Sequence, residues 1–144
     1  NCNFSCKYCF EEKRKINMND ETEKKVIACI AEKTKKIERI SIDWYGGEPL
    51  LRFEQLKRMN DKISDICKKQ NTNYSISITT NGYLLDENVV NYLRNFKVSH
   101  LQITLDGPPE THNKNRPLLN GNSTFQKIFE NIKFAVSKNI TVIV

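Results

Sequence analysis

The feature that most constrains the fold of this 144-residue chain is an alternation of strand-like and helix-like segments. The strand-like segments are short, rich in β-branched residues and alternate in polarity, as in Arg-Ile-Ser-Ile-Asp-Trp at 39–44. The helix-like segments carry apolar residues at helical spacing. Predicted strands span 39–44, 74–80, 100–105 and 140–144, and predicted helices span 21–36, 53–69, a short segment after Asp86, and 124–138.

Strands that alternate with helices indicate right-handed strand–helix–strand units and an α/β fold with a parallel sheet. Either a doubly wound sheet or a barrel fits, and in both the binding sites lie at the carboxyl ends of the strands. Unusual residues follow the first three predicted strands: Gly46 to Pro49, Asn81-Gly82, and the segment 106–116. We therefore expect these segments to form one site.

Several local predictions concern the helices and the loops between them. Asn19 or Asp20 can cap the first helix, with Glu23 in the capping-box position relative to Asp20. Cys29 and Cys67 lie within predicted helices, where buried or half-buried packing is expected. The apolar stripe of the first helix consists of Val26, Ile27, Ile30 and Ile37. Segment 110–123 is predicted to be a long polar loop.

The length and composition indicate one small globular domain. No membrane helix is expected, because no apolar run approaches the ~20 residues that such a helix needs. The net charge is +6, but lysines alternate with glutamates as on solvated helix faces, so neither nucleic acid nor membrane is expected as a partner. The unpaired cysteines predict a reducing, cytoplasmic setting. A parallel unit needs a strand before residue 1, and residue 144 falls within a strand, so we expect the middle of a longer protein.

The first ten residues contain three cysteines, Cys2, Cys6 and Cys9, in a C-x3-C-x2-C pattern, in a loop predicted to end near Lys15. Such a loop can wrap three sulfurs around one point, and thiolates select zinc, copper(I) or iron–sulfur clusters. A zinc site usually has paired spacing and four ligands, and a disulfide framework usually has an even number of cysteines. Three ligands without a fourth nearby favour a cluster with one open iron, while zinc stays an alternative.

Four segments together resemble the radical S-adenosylmethionine (SAM) superfamily: Cys-Asn-Phe-Ser-Cys-Lys-Tyr-Cys-Phe, Gly-Gly-Glu-Pro-Leu-Leu, Thr-Asn-Gly-Tyr-Leu-Leu and Leu-Asp-Gly-Pro-Pro-Glu-Thr-His. The likeness spans nearly the whole chain and extends to members with a C-terminal SPASM or twitch extension. These include anaerobic sulfatase-maturating enzymes and peptide maturases. The resemblance implies a partial TIM-type barrel, with 1–144 as a core domain that lacks its first strand and C-terminal extension.

The resemblance also implies roles for individual residues. Cys2, Cys6 and Cys9 would hold a [4Fe-4S] cluster, and Gly46, Gly47 and Glu48 would hold the amino group of SAM. An aromatic residue near the adenine corresponds to Tyr8, and Phe10 would offer its backbone to the same base. Further SAM contacts are expected at Asn81, Thr104, Asp106 and Arg116, with Arg116 on the carboxylate because its planar fork matches that group. His112 is expected to shape its loop, His100 to be structural, and no catalytic base is predicted.

The implied function is hydrogen abstraction from a peptide or protein by a 5′-deoxyadenosyl radical, in crosslinking or oxidation. A peptide substrate and a reductant such as flavodoxin or ferredoxin are the implied partners. Two alternatives stay open: a radical SAM enzyme acting on a small molecule, and a non-catalytic Fe–S or zinc binding module.

Overall fold

The computed structural model describes residues 1–12, 16–96 and 98–144, so the predicted end of the cysteine loop near Lys15 lies outside the described residues. Four parallel strands form one sheet in the order β1-β2-β3-β4. The strands are β1 (Arg39–Trp44), β2 (Asn73–Thr80), β3 (His100–Ile103) and β4 (Val142–Ile143). The helices are α1 (Asp20–Thr34), α2 (Phe53–Lys69), α3 (Glu87–Phe96), α4 (Pro109–Asn115) and α5 (Phe125–Ser137), with a 3-10 turn at Pro49–Arg52.

The sheet order selects between the two architectures that the sequence allows. Strands that add in sequence order through right-handed connections place their helices on one face, whereas a doubly wound sheet reverses its order. The structure therefore has the sheet of a partial barrel, as predicted. No helix in residues 1–12, 16–96 and 98–144 is long and apolar enough to cross a bilayer.

One face of the sheet is apolar and covered by helices. Ile76 and Ile78 of β2 and Leu101 and Ile103 of β3 point to it, and each is at most 1% exposed. Ile78 and the two β3 residues pack with α3 and α5 residues such as Val90, Leu93, Ile128 and Ala135 in the main core. This core fixes the strands whose carboxyl ends carry the predicted site.

Three element boundaries follow from local hydrogen bonding. Asn19 caps α1, because its side-chain oxygen accepts from the amide of Thr22 at 2.8 Å. Asp86 caps α3 in the same way through the amide of Val89 at 2.9 Å. β3 is shorter than predicted, because its partner β2 ends at Thr80, opposite Ile103.

The structure corrects four local predictions. Glu23 is not a capping-box residue, because its carboxylate is buried against Arg58 of α2. Ile37 lies beyond the end of α1 and is 42% exposed. The predicted loop 110–123 contains most of α4, which begins at Pro109, where the missing amide donor costs nothing in the first turn. Cys29 is exposed, whereas the predicted burial of Cys67 is confirmed.

Candidate active site

A cavity opens where the cysteine loop crosses the carboxyl ends of β1, β2 and β3. The structure thereby brings together three segments that are far apart in sequence, as the parallel topology predicts. Predicted site residues that line this cavity are Cys2, Cys6, Tyr8, Cys9, Phe10, Gly46, Gly47, Asn81, Thr104 and Arg116. Glu48 and Asp106 are not among its lining residues and lie behind it.

The three cysteines of the loop are free thiols on the wall of this cavity. Burial raises the pKa of Cys2 and Cys6, and the neighbouring thiols raise it further. The amide of Phe4 points at the Cys2 sulfur at 3.4 Å, an orientation that stabilises a thiolate. Within the described residues no three His, Cys, Asp or Glu side chains converge tightly enough for a single metal ion, so the sulfurs share a cavity but do not surround one point.

The cysteine loop rests on the end of α4 and the segment that follows it, within the predicted polar loop 110–123. The amide of Ser5 donates to the Pro117 carbonyl at 2.8 Å, and the amide of Lys7 donates to Asn115 at 2.9 Å. The amide of Leu119 donates to the Asn3 carbonyl at 3.0 Å. Backbone bonds of this kind leave no periodic signature in the sequence, although Pro108-Pro109 could have indicated the start of α4.

The two glycines after β1 have different structural roles. Gly46 has a φ of +145°, a conformation that side chains rarely adopt, and a Cβ there would meet nothing within 4 Å. A Cβ on Gly47 would lie 2.4 Å from the carbonyl oxygen of Asn1. The same oxygen accepts from the amide of Glu48 at 2.9 Å, so Gly47 lets the start of the cysteine loop lie against the turn.

Glu48 is buried, and its carboxylate is bonded within the chain. One oxygen accepts from the amide of Leu50 at 2.9 Å and the Thr80 hydroxyl at 2.7 Å, and the other accepts from the amide of Asn81 at 2.7 Å. Burial raises the pKa of this carboxyl, while the three donors and the more distant Arg116 oppose the rise. Glu48 thus joins the turn after β1 to the end of β2.

Asn81 connects the end of β2 to the cysteine loop. Its side-chain nitrogen donates to the side-chain oxygen of Asn3 at 2.8 Å, and its own oxygen accepts from the amide of Tyr83 at 3.0 Å. Gly82 follows in the left-handed region with a φ of +77°. The Asn-Gly pair is therefore both a turn and a wall of the cavity.

Arg116 is a buried cation at the cavity wall. It is 8% exposed, its Nη1 donates to the hydroxyl of Tyr8 at 2.7 Å, and its Cζ lies 5.9 Å from the centre of the Phe4 ring. Its Nε is buried without a hydrogen-bond partner in the described chain. The Tyr8 hydroxyl in turn donates to Asp106 at 2.8 Å, so Asp106 is bonded to a side chain that lines the cavity.

His112 is completely buried in α4 and holds two segments together, as its predicted role in shaping this segment implies. Its Nδ1 accepts from the amide of Asp106 at 3.2 Å. The Thr124 hydroxyl donates to the Arg116 carbonyl at 2.7 Å, so its oxygen is left to accept from Nε2 of His112 at 3.1 Å. Burial and the nearby Arg116 lower the pKa of His112, in agreement with a neutral ring that carries its proton on Nε2.

His100 lies at the start of β3, away from the cavity at the strands' carboxyl ends. Its Nδ1 is 3.3 Å from the hydroxyl of the neighbouring Ser99.

This combination of fold and cavity agrees with the comparisons to known proteins. The sequence model of the Radical SAM superfamily matches residues 1–144. The chain therefore belongs to the radical SAM superfamily, a family of enzymes, and the resemblance stated from its motifs is confirmed.

The named relatives include anaerobic sulfatase-maturating enzymes. The cysteine-type anaerobic sulfatase-maturating enzyme of Clostridium perfringens (strain 13 / Type A) is 30% identical over 139 residues, which cover 88% of this chain and 36% of that protein. The serine-type anaerobic sulfatase-maturating enzyme of Bacteroides thetaiotaomicron is 30% identical over 144 residues, covering 91% of this chain and 33% of that protein. This chain thus spans only about a third of the length of these relatives.

A solved structure shares the fold. Native anSMEcpe with bound AdoMet and Kp18Cys peptide matches with a TM-score of 0.82 and 28% identity, covering 99% of this chain and 39% of that chain. The predicted α/β fold of the radical SAM core is therefore confirmed, and AdoMet is a ligand of that neighbour.

Proposed function

We propose that residues 1–144 act as the core domain of a radical SAM enzyme that modifies a peptide or protein. One observation carries the proposal: Cys2, Cys6 and Cys9 line the same cavity as the Gly46-Gly47 turn and the buried cation Arg116. Sulfur donors, close backbone approach and an unpaired guanidinium are the groups that a cluster and an amino-acid-bearing ligand require.

The donor set suits an iron–sulfur cluster held by three thiolates. Each cysteine belongs to one short loop, and that loop is fixed by backbone bonds to Asn115 and Pro117. Its two half-buried thiols have raised pKa values, so cluster assembly must displace protons from them. When bound, such a cluster supplies the electron that cleaves SAM to methionine and the 5′-deoxyadenosyl radical, which removes a hydrogen atom from the substrate. A flavodoxin or ferredoxin is the proposed reductant.

The chain's own residues bind and orient SAM in this proposal. Arg116 offers its unpartnered Nε to the carboxylate, and backbone atoms of the turn after β1 face the ammonium. Glu48 acts behind the turn, because its three donors hold the turn against the end of β2. The Phe10 backbone, Thr104 and the Asn81 wall complete the site on the adenosine side.

A peptide is the proposed substrate because exposed aromatic side chains line the open cavity. Phe10 is 82% exposed and Tyr45 is 62% exposed, and both line the cavity. Exposed aromatic side chains beside a cavity are typical of surfaces that another chain covers. The similarity to sulfatase-maturating enzymes and to a neighbour bound to a peptide supports the same substrate class.

SAM cleavage tests the proposal. Full-length protein is reconstituted anaerobically with iron and sulfide, given SAM and dithionite, and analysed for 5′-deoxyadenosine and methionine. We expect both products, and we expect Cys2→Ala, Cys6→Ala and Cys9→Ala each to lower their formation by at least about 100-fold, because each substitution removes one thiolate ligand.

Cys29→Ala is the matched control, because Cys29 is an exposed thiol on α1 outside the cavity. Its product formation should equal that of the unmodified protein. A protein loaded with iron and sulfide that forms no 5′-deoxyadenosine would contradict the proposed function.

A further inference from the structure

The hydroxyl of Tyr8 lies between a carboxylate and a guanidinium. It donates to Asp106 at 2.8 Å and accepts from Nη1 of Arg116 at 2.7 Å. The rest of the side chain is open, with 54% of Tyr8 exposed. The Tyr8 hydroxyl is therefore held between two groups of opposite charge.

Arg116 is 8% exposed, yet it pairs with no anion in the part of the chain that the structure describes. None of the ion pairs among residues 1–12, 16–96 and 98–144 involves it. Its Nε is buried and has no partner there. A buried guanidinium with unsatisfied donors is costly, so the site is poised to receive an anionic group.

Asp106 is a competitor for that cation, because it shares the Tyr8 hydroxyl with Arg116. In a direct ion pair, the guanidinium of Arg116 would bind the Asp106 carboxylate and would no longer be available to a ligand. The Tyr8 hydroxyl is bonded to both groups, and its bond to Asp106 makes the phenolic oxygen a stronger acceptor for Nη1. The cation stays beside the cysteines, on the cavity wall.

We infer that Tyr8 is a positioning residue: its hydroxyl keeps Arg116 from closing onto Asp106 and so holds the guanidinium ready for the carboxylate of the bound ligand. The inference rests on the proposed function, in which that ligand is SAM. It assigns the phenol hydroxyl a role on the amino-acid end of SAM, separate from the contact of the ring with adenine that the family resemblance implies.

The test compares two ligands that differ by one group. Dissociation constants of SAM and decarboxylated SAM are measured by equilibrium dialysis with cluster-loaded, full-length protein. We expect Tyr8→Phe to weaken SAM about tenfold, the size of one charge-assisted hydrogen bond, and to leave decarboxylated SAM within about twofold. Iron content and the visible spectrum verify that the cluster is unchanged.

A rescue separates positioning from a general structural effect. In Tyr8→Phe/Asp106→Asn the competing charge is absent, so SAM affinity should return to within about threefold of the unmodified protein. Tyr92→Phe is the matched control, because its hydroxyl also bonds a carboxylate, Asp61 at 2.9 Å, outside the cavity. It should change neither dissociation constant.

Three outcomes overturn the inference: equal weakening of both ligands by Tyr8→Phe, no weakening at all, or no rescue by Asp106→Asn. Should Tyr8→Phe fail to hold its cluster, Asp106→Asn alone decides, because it leaves the cysteine loop intact. Its SAM affinity should match or exceed that of the unmodified protein, and a tenfold loss contradicts the inference. An unmodified protein that binds neither ligand contradicts the proposed function itself.

Discussion

Glu48 shows how a single side chain can serve a binding site without facing it. Its carboxylate accepts from Leu50, Thr80 and Asn81, and so connects the turn after β1 with the end of β2. All three donors point at a buried acceptor, so the group must accept at both oxygens. A neutral amide of the same shape cannot meet this requirement, because one of its ends donates.

Glu48→Gln is therefore expected to lower the free energy of unfolding by about 1–3 kcal/mol, the cost of leaving a buried donor unpaired. Chemical denaturation of the full-length protein measures this change. Glu54→Gln is the control, because Glu54 is exposed on α2, and it should stay within about 0.5 kcal/mol of the unmodified protein. Equal stability of Glu48→Gln and the unmodified protein would contradict the role assigned to this carboxylate.

At the scale of elements, α1 and α2 are joined by a buried acid. The Glu23 carboxylate is 3% exposed and accepts from Arg58 Nε at 3.1 Å and from Gln55 at 3.3 Å. The hydrogen bonds from Arg58 lower the pKa of Glu23 from 4.5 to about 2, against the opposing effect of burial. Because Arg58 is half-exposed, the pair contributes less than a fully buried one.

The pKa of Glu23 predicts how this contribution depends on pH. Above pH 4.5 the carboxylate is charged in both the folded and unfolded chains, so its stabilisation is fully present. As pH falls from 4.5 towards about 2, the unfolded chain takes up the proton first, and the stabilisation is lost. Near neutral pH, Glu23→Gln should cost about 1–2 kcal/mol, and this difference from the unmodified protein should shrink progressively in acid.

Urea unfolding of both proteins at a series of pH values measures that difference. Glu21→Gln is the control, because its pair with Lys25 is exposed at both ends and should contribute little at any pH. A difference for Glu23→Gln that is constant down to pH 3 would contradict the assigned ion pair.

The elements also show what a sequence can predict. The segments at 39–44 and 53–69 coincide with β1 and α2, because their apolar periodicity is set by burial against the sheet. α4 was missed, because it is short and polar and is held by tertiary bonds of His112. Glu23 was assigned to a cap, because the sequence around α1 does not show that Arg58 lies beside it.

The sequence likewise indicated some features of the candidate site and not others. The cysteines of the site are indicated by residue type and spacing, and its glycines and Arg116 by the resemblance to the radical SAM superfamily. The parallel topology brings them to one cavity. The sequence did not reveal that Glu48 does not line the cavity or that the Tyr8 hydroxyl bonds both Asp106 and Arg116. Both depend on side-chain geometry across elements that are far apart in sequence.

At the scale of the whole molecule, the sheet face opposite the helices carries polar side chains. Asp43 of β1 lies beside Ser77 of β2 and receives its hydroxyl hydrogen bond. Thr79 and Thr104 continue this polar face to the cavity. In a closed and packed barrel, bulky apolar side chains fill the interior. The corresponding face of this sheet is hydrophilic instead, as is expected if the interior of the partial barrel admits a ligand.

The central claim is that Cys2, Cys6 and Cys9 hold a cluster with one iron open to SAM. Electron paramagnetic resonance of the full-length, reconstituted and dithionite-reduced protein tests this claim most directly, in spectra recorded before and after SAM is added. We predict a reduced-cluster signal whose g-values shift with SAM, because an amine and a carboxylate would then bind the open iron. A reduced cluster whose spectrum is the same with and without SAM would contradict the account.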